Sequence, residues 1–216
     1  MKKKIAILGS TGSIGKTLIN ILKKNKKNTE IVLLVSNKNN NELFKQTKFF
    51  NVKNIIIIDK SKFIEAKKFF SKKKVNVYNN FNSLNKIFKN KRLDYVMSAI
   101  SGLEGLIPTI NIIKFTRKIA IANKESIICA WPLIEKKLNR HKTQFIPIDS
   151  EHFSIYSLLG KSNNNDVEKI YLTASGGPFN KYSLRQFKTI TPNSALKHPN
   201  WKMGKKISID SATMMN

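Results

Sequence analysis

Lys4-Ile5-Ala6-Ile7-Leu8-Gly9-Ser10-Thr11-Gly12-Ser13-Ile14-Gly15 decides how the rest of the 216-residue chain is read. A short apolar strand runs into glycines spaced G-x-x-G-x-x-G, and an amphipathic helix is expected from about Ile14 to Lys24. Glycine at these positions lets the backbone turn tightly and come close to a pyrophosphate, which rests on the N–H groups of the helix start. The same glycines would also serve a tight strand-to-helix turn that holds no ligand.

Working outward, the second strand is expected over Glu30 to Val35. Its end is followed by Ser36-Asn37-Lys38-Asn39. A fold that prefers NAD places an acid there, on the ribose 2′-hydroxyl. This chain has a lysine and no acid, which favours NADP(H). Strand and helix stretches then alternate: 54–58 with 62–70, 75–78 with 83–89, 94–98 with 106–115, and 118–122 with 126–138. A strand over 144–148 closes the series. Short apolar strands alternating with helices predict βαβ units and a parallel sheet. Ligands of such sheets bind outside the carboxyl ends of the strands. The glycine turn, Lys38, Asn123-Lys124-Glu125 and Asp149-Ser150-Glu151-His152 all fall on that edge. Glu125 there would also suit a helix start as a first-turn acid.

Phe145-Ile146-Pro147-Ile148 leads into Asp149 and Glu151, two of only 13 acidic residues. Read as extended backbone, positions i and i+2 point to one side. Two hard oxygen donors on one face suit Mg²⁺ or Mn²⁺. Beyond Leu159 the pattern changes. A polar loop at 160–165 precedes an expected strand over 169–174, ending in Ser175-Gly176-Gly177-Pro178-Phe179, whose small residues suit a phosphate. Thr191-Pro192 opens a predicted helix. His198-Pro199-Asn200-Trp201-Lys202-Met203-Gly204 is expected to be a loop with Trp201 on a lid.

The formal net charge is +27, from 40 Lys and Arg against 13 Asp and Glu. Such an excess raises nucleic acid or an acidic membrane as partners. The lysines are spread along the whole chain and arginine is rare, so the excess is read as solvated surface and neither partner is expected. The apolar fraction of 41% supports a real core. No apolar run approaches the ~18 residues of a membrane span. The first strand begins so early that no leader peptide is expected, and the single cysteine, Cys129, fits a reducing compartment. A cytoplasmic protein is expected.

Taken in order, Gly9 to Gly15, Asn123 to Ser126, Asp149 to His152, Thr173 to Phe179, His198 to Gly204 and Asp210-Ser211-Ala212-Thr213-Met214-Met215-Asn216 resemble the motifs of the 1-deoxy-D-xylulose 5-phosphate reductoisomerase family. The resemblance runs end to end. It implies a Rossmann-like α/β NADPH-binding domain over 1–149, followed over 150–216 by the start of an α+β catalytic domain. It also implies an oxidoreductase of the non-mevalonate isoprenoid pathway, dependent on NADPH and on Mn²⁺ or Mg²⁺. The substrate would be a phosphorylated keto sugar, rearranged by retro-aldol cleavage and re-addition and then reduced to 2-C-methyl-D-erythritol 4-phosphate. A homodimer of the full-length enzyme would be expected.

Carried over by the resemblance, Thr11, Gly12, Ser13 and Ile14 would hold the pyrophosphate, and Asn37, Lys38 and Asn39 the 2′-phosphate end. Asn123, Glu125 and Gly204 would also line the cofactor. Asp149 and Glu151 would bind metal. Lys124, Ser150 and Glu151 would meet the reacting end of the substrate. Ser175, His198, Ser211 and Asn216 would contact the rest of it, with the serines and Asn216 around its phosphate. Lys124, Asp149, Glu151 and His198 form the expected catalytic set. Asn37 stands where the family often has glycine, which would shift its contact. The family's next lysine, a third metal-binding glutamate and a carboxyl-terminal helical domain are not in this sequence. It is therefore expected to be a fragment with little turnover of its own. The competing expectations are an inactive NADP(H)-binding module and a basic nucleic-acid-binding protein.

Overall fold

The computed structural model describes residues 2–89, 91–160, 167–173, 176–202 and 204–213. The chain divides into two compact units, Met1–Lys161 and Ser162–Asn216.

In the first unit, seven strands form one sheet: β1 (Lys3–Leu8), β2 (Thr29–Ser36), β3 (Asn54–Ile57), β4 (Asn76–Tyr78), β5 (Leu93–Ser98), β6 (Thr116–Ile121) and β7 (Gln144–Pro147). Their spatial order is β4-β3-β2-β1-β5-β6-β7, and every neighbouring pair is parallel. The chain builds outward from β1 in one direction, then returns and builds in the other. The order therefore reverses between β1 and β5. Ligands of open parallel sheets bind at such a reversal.

Strand alternation explains the two-sided core. Ile5, Ile7, Ile31, Leu34, Ile55, Ile57 and Met97 pack on one face with Ile19, Leu22, Leu43, Phe44, Ala66 and Phe70. Those partners come from α1 (Ser13–Lys24), α2 (Asn40–Phe50), α3 (Lys60–Phe69) and the residue capping α3. Ala6, Leu8, Leu33, Val35, Ile56, Val96, Ile119 and Ile121 face the other way, against Leu84, Phe88, Ile112, Ile113, Ile134 and Leu138. These lie on α4 (Leu84–Phe88), α5 (Leu106–Ile113) and α6 (Lys124–His141). Strands buried on both faces read as continuous apolar runs. Each fully buried Leu or Ile side chain contributes about 1.5–3 kcal/mol.

The parallel α/β architecture agrees with the sequence expectation, and the element ends differ by a few residues. Two helices of this unit were not expected. One is α2. The other is α7 (Ser150–Leu159), which contacts β7 and starts at the expected domain boundary. Helix α6 also runs further than expected and is kinked: Ala130 leaves helical geometry at φ −146°, ψ 28°, two residues before Pro132. Proline lacks the N–H that would continue the ladder and crowds the preceding turn.

In the second unit, residues 169–173 form no strand, contrary to expectation. Among the described residues they have no ladder partner, and Ile170, Tyr171 and Leu172 are exposed. Helix α8 (Pro192–Ala195) begins as expected, with Pro192 at its first position. Thr191 and Ser194 exchange hydrogen bonds in a capping box. A last helix, α9 (Lys205–Ala212), forms where no element was expected. Ile207-Ser208-Ile209 alternates like a strand, but Ser208 and Ser211 are the buried pair, three residues apart on one helical face. No helix among the described residues is long and apolar enough to cross a membrane.

Candidate functional site

A cleft of about 450 Å³ lies at the sheet reversal. Gly9, Thr11 and Gly12 line it from the turn after β1, Val35 to Asn37 from the end of β2, and Ala99 to Ser101 from the loop after β5. Gly9 and Ser10 donate to Val35 O at 3.0 and 2.9 Å, and Gly12 donates to Gly9 O at 3.1 Å. Gly9 has φ +81°, and a Cβ there would lie 2.5 Å from Ala99 O. The turn is thus wedged between two strand ends in a conformation that suits glycine. Gly15 is buried in α1, where a Cβ would strike the backbone of Gly9 and Ser10. Thr11 Oγ1 and Ser36 Oγ lie 2.9 Å apart, joining the first two strand ends. Gly12 is the N-cap of α1 and has no side chain to satisfy the N–H groups of the first turn. No acid stands in that turn, and Ser13 and Ile14 are exposed. Ser10 Oγ is buried with no hydrogen-bond partner among the described residues. Open helix N–H groups and an anion-free first turn fit a pyrophosphate.

Lys38 is exposed after β2. Asn37 O accepts the Asp59 N–H at 3.3 Å, and Asn39 Oδ1 accepts the Glu42 N–H at 3.1 Å as the N-cap of α2. The sequence reading missed Asp59. The parallel pairing of β2 and β3 brings it beside Lys38, 21 residues away in sequence but adjacent across the sheet. Its carboxylate caps α3. Hydrogen bonds from Ser61 and Lys62 hold it below the usual carboxylate range against slight desolvation, and Lys38 lowers it further.

At the far side of the same sheet edge, β6 and β7 present a second cluster. Lys124 Nζ lies 2.7 Å from Asp149 Oδ2, and His152 Nδ1 lies 2.8 Å from Asp149 Oδ1. Asp149 is the N-cap of α7, and its side chain also accepts the His152 N–H at 3.4 Å. The side chain of Asp149 is 15% exposed. Partial burial pushes its carboxyl upward. The Lys124 ammonium, the His152 ring and hydrogen bonding with Glu151 outweigh that and hold it well below the usual range.

The expectation of an extended Asp149-Ser150-Glu151 is therefore corrected. Capping by Asp149 starts a helix at Ser150, and residues two apart on a helix do not face each other. Glu151 stands in the first turn of the same helix, where it still acts on the Asp149 carboxyl, and Ser150 Oγ donates to Glu151 Oε2 at 2.8 Å. The donor set is two carboxylates and a hydroxyl, all hard oxygens, and it already carries a cation in the Lys124 ammonium. That chemistry fits Mg²⁺ or Mn²⁺. Among the described residues, no group of three or more His, Cys, Asp or Glu side chains is placed so that it could hold a metal ion.

Asn123 caps α6 and is buried, and Glu125 is half-buried in the first turn of that helix. In the second unit, His198 Nδ1 accepts the N–H groups of Asn200 and Trp201, both at 3.1 Å. A ring nitrogen that accepts carries no proton, so the His198 proton sits on Nε2. Trp201 is 63% exposed. Gly204 is the exposed N-cap of α9. Ser211 is buried on α9, and the turn at Gly176 and Gly177 (φ +77° and +62°) packs against it: a Cβ on Gly177 would lie 2.6 Å from Ser211 O. Ser175 and Asn216 lie outside the described residues.

Fold and site together define a doubly wound α/β protein of the dinucleotide-binding kind, with a lysine–carboxylate cluster at the outer end of the same strand edge. The family model of 1-deoxy-D-xylulose 5-phosphate reductoisomerase matches residues 5–131, and the model of that enzyme's C-terminal domain matches residues 145–216. The chain belongs to the 1-deoxy-D-xylulose 5-phosphate reductoisomerase family. It is 61% identical over 215 residues to the reductoisomerase of Pelagibacter ubique and 43% identical over 216 residues to that of Phocaeicola vulgatus. These alignments take in 99% and 100% of this chain but 55% and 56% of the relatives, so the chain spans about half the length of the relatives it matches. The Zymomonas mobilis reductoisomerase in complex with NADPH superposes with a TM-score of 0.88 at 35% identity, covering 100% of this chain and 55% of that one. A reductoisomerase in complex with NADPH, fosmidomycin and magnesium gives 0.84 at 32% identity, covering 99% and 55%.

Proposed function

We propose that this chain provides the cofactor-binding part and the start of the catalytic part of an enzyme that converts 1-deoxy-D-xylulose 5-phosphate to 2-C-methyl-D-erythritol 4-phosphate. The cofactors are NADPH and Mg²⁺ or Mn²⁺. The observation that carries the reading is the placement of the Gly9–Gly12 turn, Lys38 and the Lys124–Asp149 pair along the carboxyl ends of one parallel sheet.

When bound, the reduced nicotinamide supplies a hydride and the divalent ion a Lewis acid for neighbouring substrate oxygens. The chain's own groups do the rest. Thr11 to Ile14 present the α1 N–H groups to the pyrophosphate, and Lys38 faces the 2′-phosphate. Asn37 and Asn39 shape that loop. Asp149 and Glu151 would hold the metal, with Ser150 and Lys124 directed to the substrate. Lys124 keeps a positive charge beside an oxygen that gains negative charge as the carbon skeleton rearranges. His198 would offer an Nε2 proton to a substrate oxygen, and Trp201 would belong to a lid that excludes water. By resemblance, Gly204 and Glu125 would contribute to the cofactor site, and Ser175, Ser211 and Asn216 to binding of the substrate phosphate. In the same reading the cofactor domain is 1–149 and the catalytic part begins at 150. The full-length enzyme works as a homodimer in the cytoplasm, with neither nucleic acid nor membrane as partner.

The test is titration of the chain with NADPH and with NADH, followed by nicotinamide fluorescence. At least tenfold tighter binding of NADPH is expected. Equal affinities would overturn the NADP assignment, and no binding of either would overturn the reading.

A further inference from the structure

The geometry points to Asn123 as a positioning residue, a clamp that ties the loop over the cofactor cleft to the helix start bearing Lys124. This rests on the reading of the cleft as a dinucleotide site. Asn123 is 3% exposed, and both hydrogens of its amide and one acceptor position of its oxygen are used inside the protein. Its Nδ2 donates to Ile100 O at 2.6 Å and to Gly102 O at 2.5 Å. Its Oδ1 accepts the Ser126 N–H at 2.8 Å, which caps α6. A primary amide offers two donor hydrogens and a carbonyl oxygen. Both hydrogens are spent on the loop and the oxygen on the helix, so the side chain holds no donor for a dinucleotide.

The surroundings are built around this bridge. Ile100 lines the cleft, and Gly102 leaves it with φ +73°. Gly105 packs beneath: a Cβ there would collide with Asn123 Nδ2 and Ile100 O. Thr109 Oγ1 donates to Gly105 O at 2.6 Å and meets Ser98 Oγ at 2.6 Å, fixing the other end of the loop to β5. One side chain therefore sets the height of the cleft wall and the start of α6 together. The next residue, Lys124, reaches Asp149 at 2.7 Å. Movement of the 100–102 wall on cofactor binding is transmitted to the lysine through a single amide.

The discriminating variant is Asn123→Ser. Serine is a good N-cap and keeps the bond to Ser126 N–H, but it cannot reach both loop carbonyls. Hydrogen exchange of residues 99–105 and NADPH affinity are measured on the same protein. The expected result is faster exchange across 99–105, unchanged helicity and about tenfold weaker NADPH binding. Unchanged exchange and affinity would overturn the clamp. Weaker binding with unchanged exchange would make Asn123 a direct cofactor contact and also overturn it. Faster exchange with unchanged affinity would overturn the positioning role. Should the wild-type chain bind no NADPH, the dinucleotide reading fails, and the exchange result alone decides the clamp. Should the variant not fold, the wild-type protein still decides. The two Asn123 side-chain amide protons are expected to exchange at least tenfold more slowly than those of an exposed asparagine such as Asn37, and equal rates would overturn the proposal.

Discussion

Lys124 and Asp149 follow different strands, β6 and β7, and meet at 2.7 Å as a largely buried ion pair. Neither can be removed alone without leaving the other's charge poorly solvated. Lys124→Ala is expected to destabilise the chain by about 1–2 kcal/mol, less than a fully buried pair because Lys124 is 32% exposed. Adding Asp149→Ala to that variant is expected to cost less than the two single changes summed. Urea denaturation of the four proteins gives the coupling, and strict additivity would show that the pair contributes nothing.

Gly9 is the position where the cleft tolerates least. Its φ of +81° disfavours a side chain, and a Cβ would lie 2.5 Å from Ala99 O. Gly9→Ala is expected to cost about 1–3 kcal/mol from the backbone conformation alone, with the clash adding to it. The displaced Ala99 carbonyl narrows the cleft, so NADPH affinity is expected to fall with stability. A variant that keeps both would mean that β1 and β5 separate without cost at their carboxyl ends.

Much of this arrangement is legible in the sequence because the first unit obeys a single rule. Apolar strands buried on both faces alternate with helices, and the glycine turn marks where the first strand ends. The misses have physical reasons. Helix α2 carries a capping signature in Asn39-x-x-Glu42, which is polar throughout and reads as loop when only apolar periodicity is followed. Asp149 followed by an apolar run is also a helix start. The same four letters serve a metal-binding strand end, and only the capped His152 N–H decides between them. Asp59 could not be placed beside Lys38 without knowing that β3 pairs with β2. The place of Asn123 on the ligand edge is legible in the sequence, but its tie to the neighbouring loop is not. Its three internal hydrogen bonds depend on the loop after β5, which no local pattern reveals.

The carboxylate of Asp59 makes acid stability a test of the α3 cap. Its folded pKa lies below the usual carboxylate value because Ser61 and Lys62 donate to the ionised form. A group lowered in this way contributes stability that is fully present above its unfolded pKa. That stability is lost as pH falls through the lower, folded value. Asp59→Asn keeps a capping oxygen but cannot titrate. The wild type is expected to be the more stable protein at pH 7, with the difference closing below pH 4. Paired thermal melts across that range check it, and a constant difference would show that the charge plays no part.

Asp59 also bears on cofactor choice. Lys38 follows β2, where a dinucleotide fold meets the ribose, and Asp59 follows β3 beside it. A 2′-phosphate would gain the ammonium and feel the carboxylate, whereas a 2′-hydroxyl is nearly indifferent to both. Lys38→Ala is therefore expected to weaken NADPH binding about tenfold, or ~1.4 kcal/mol, and to leave NADH within twofold. Asp59→Asn is expected to do the opposite on a smaller scale, tightening NADPH about two- to threefold. Both effects should shrink as salt rises, because these charges are exposed. Titration of the two variants with both nucleotides at low and moderate salt separates the possibilities. If Lys38→Ala weakens NADPH and NADH alike, the lysine supports the loop and does not read the phosphate. NADP preference would then have to reside in Asn37 and Asn39.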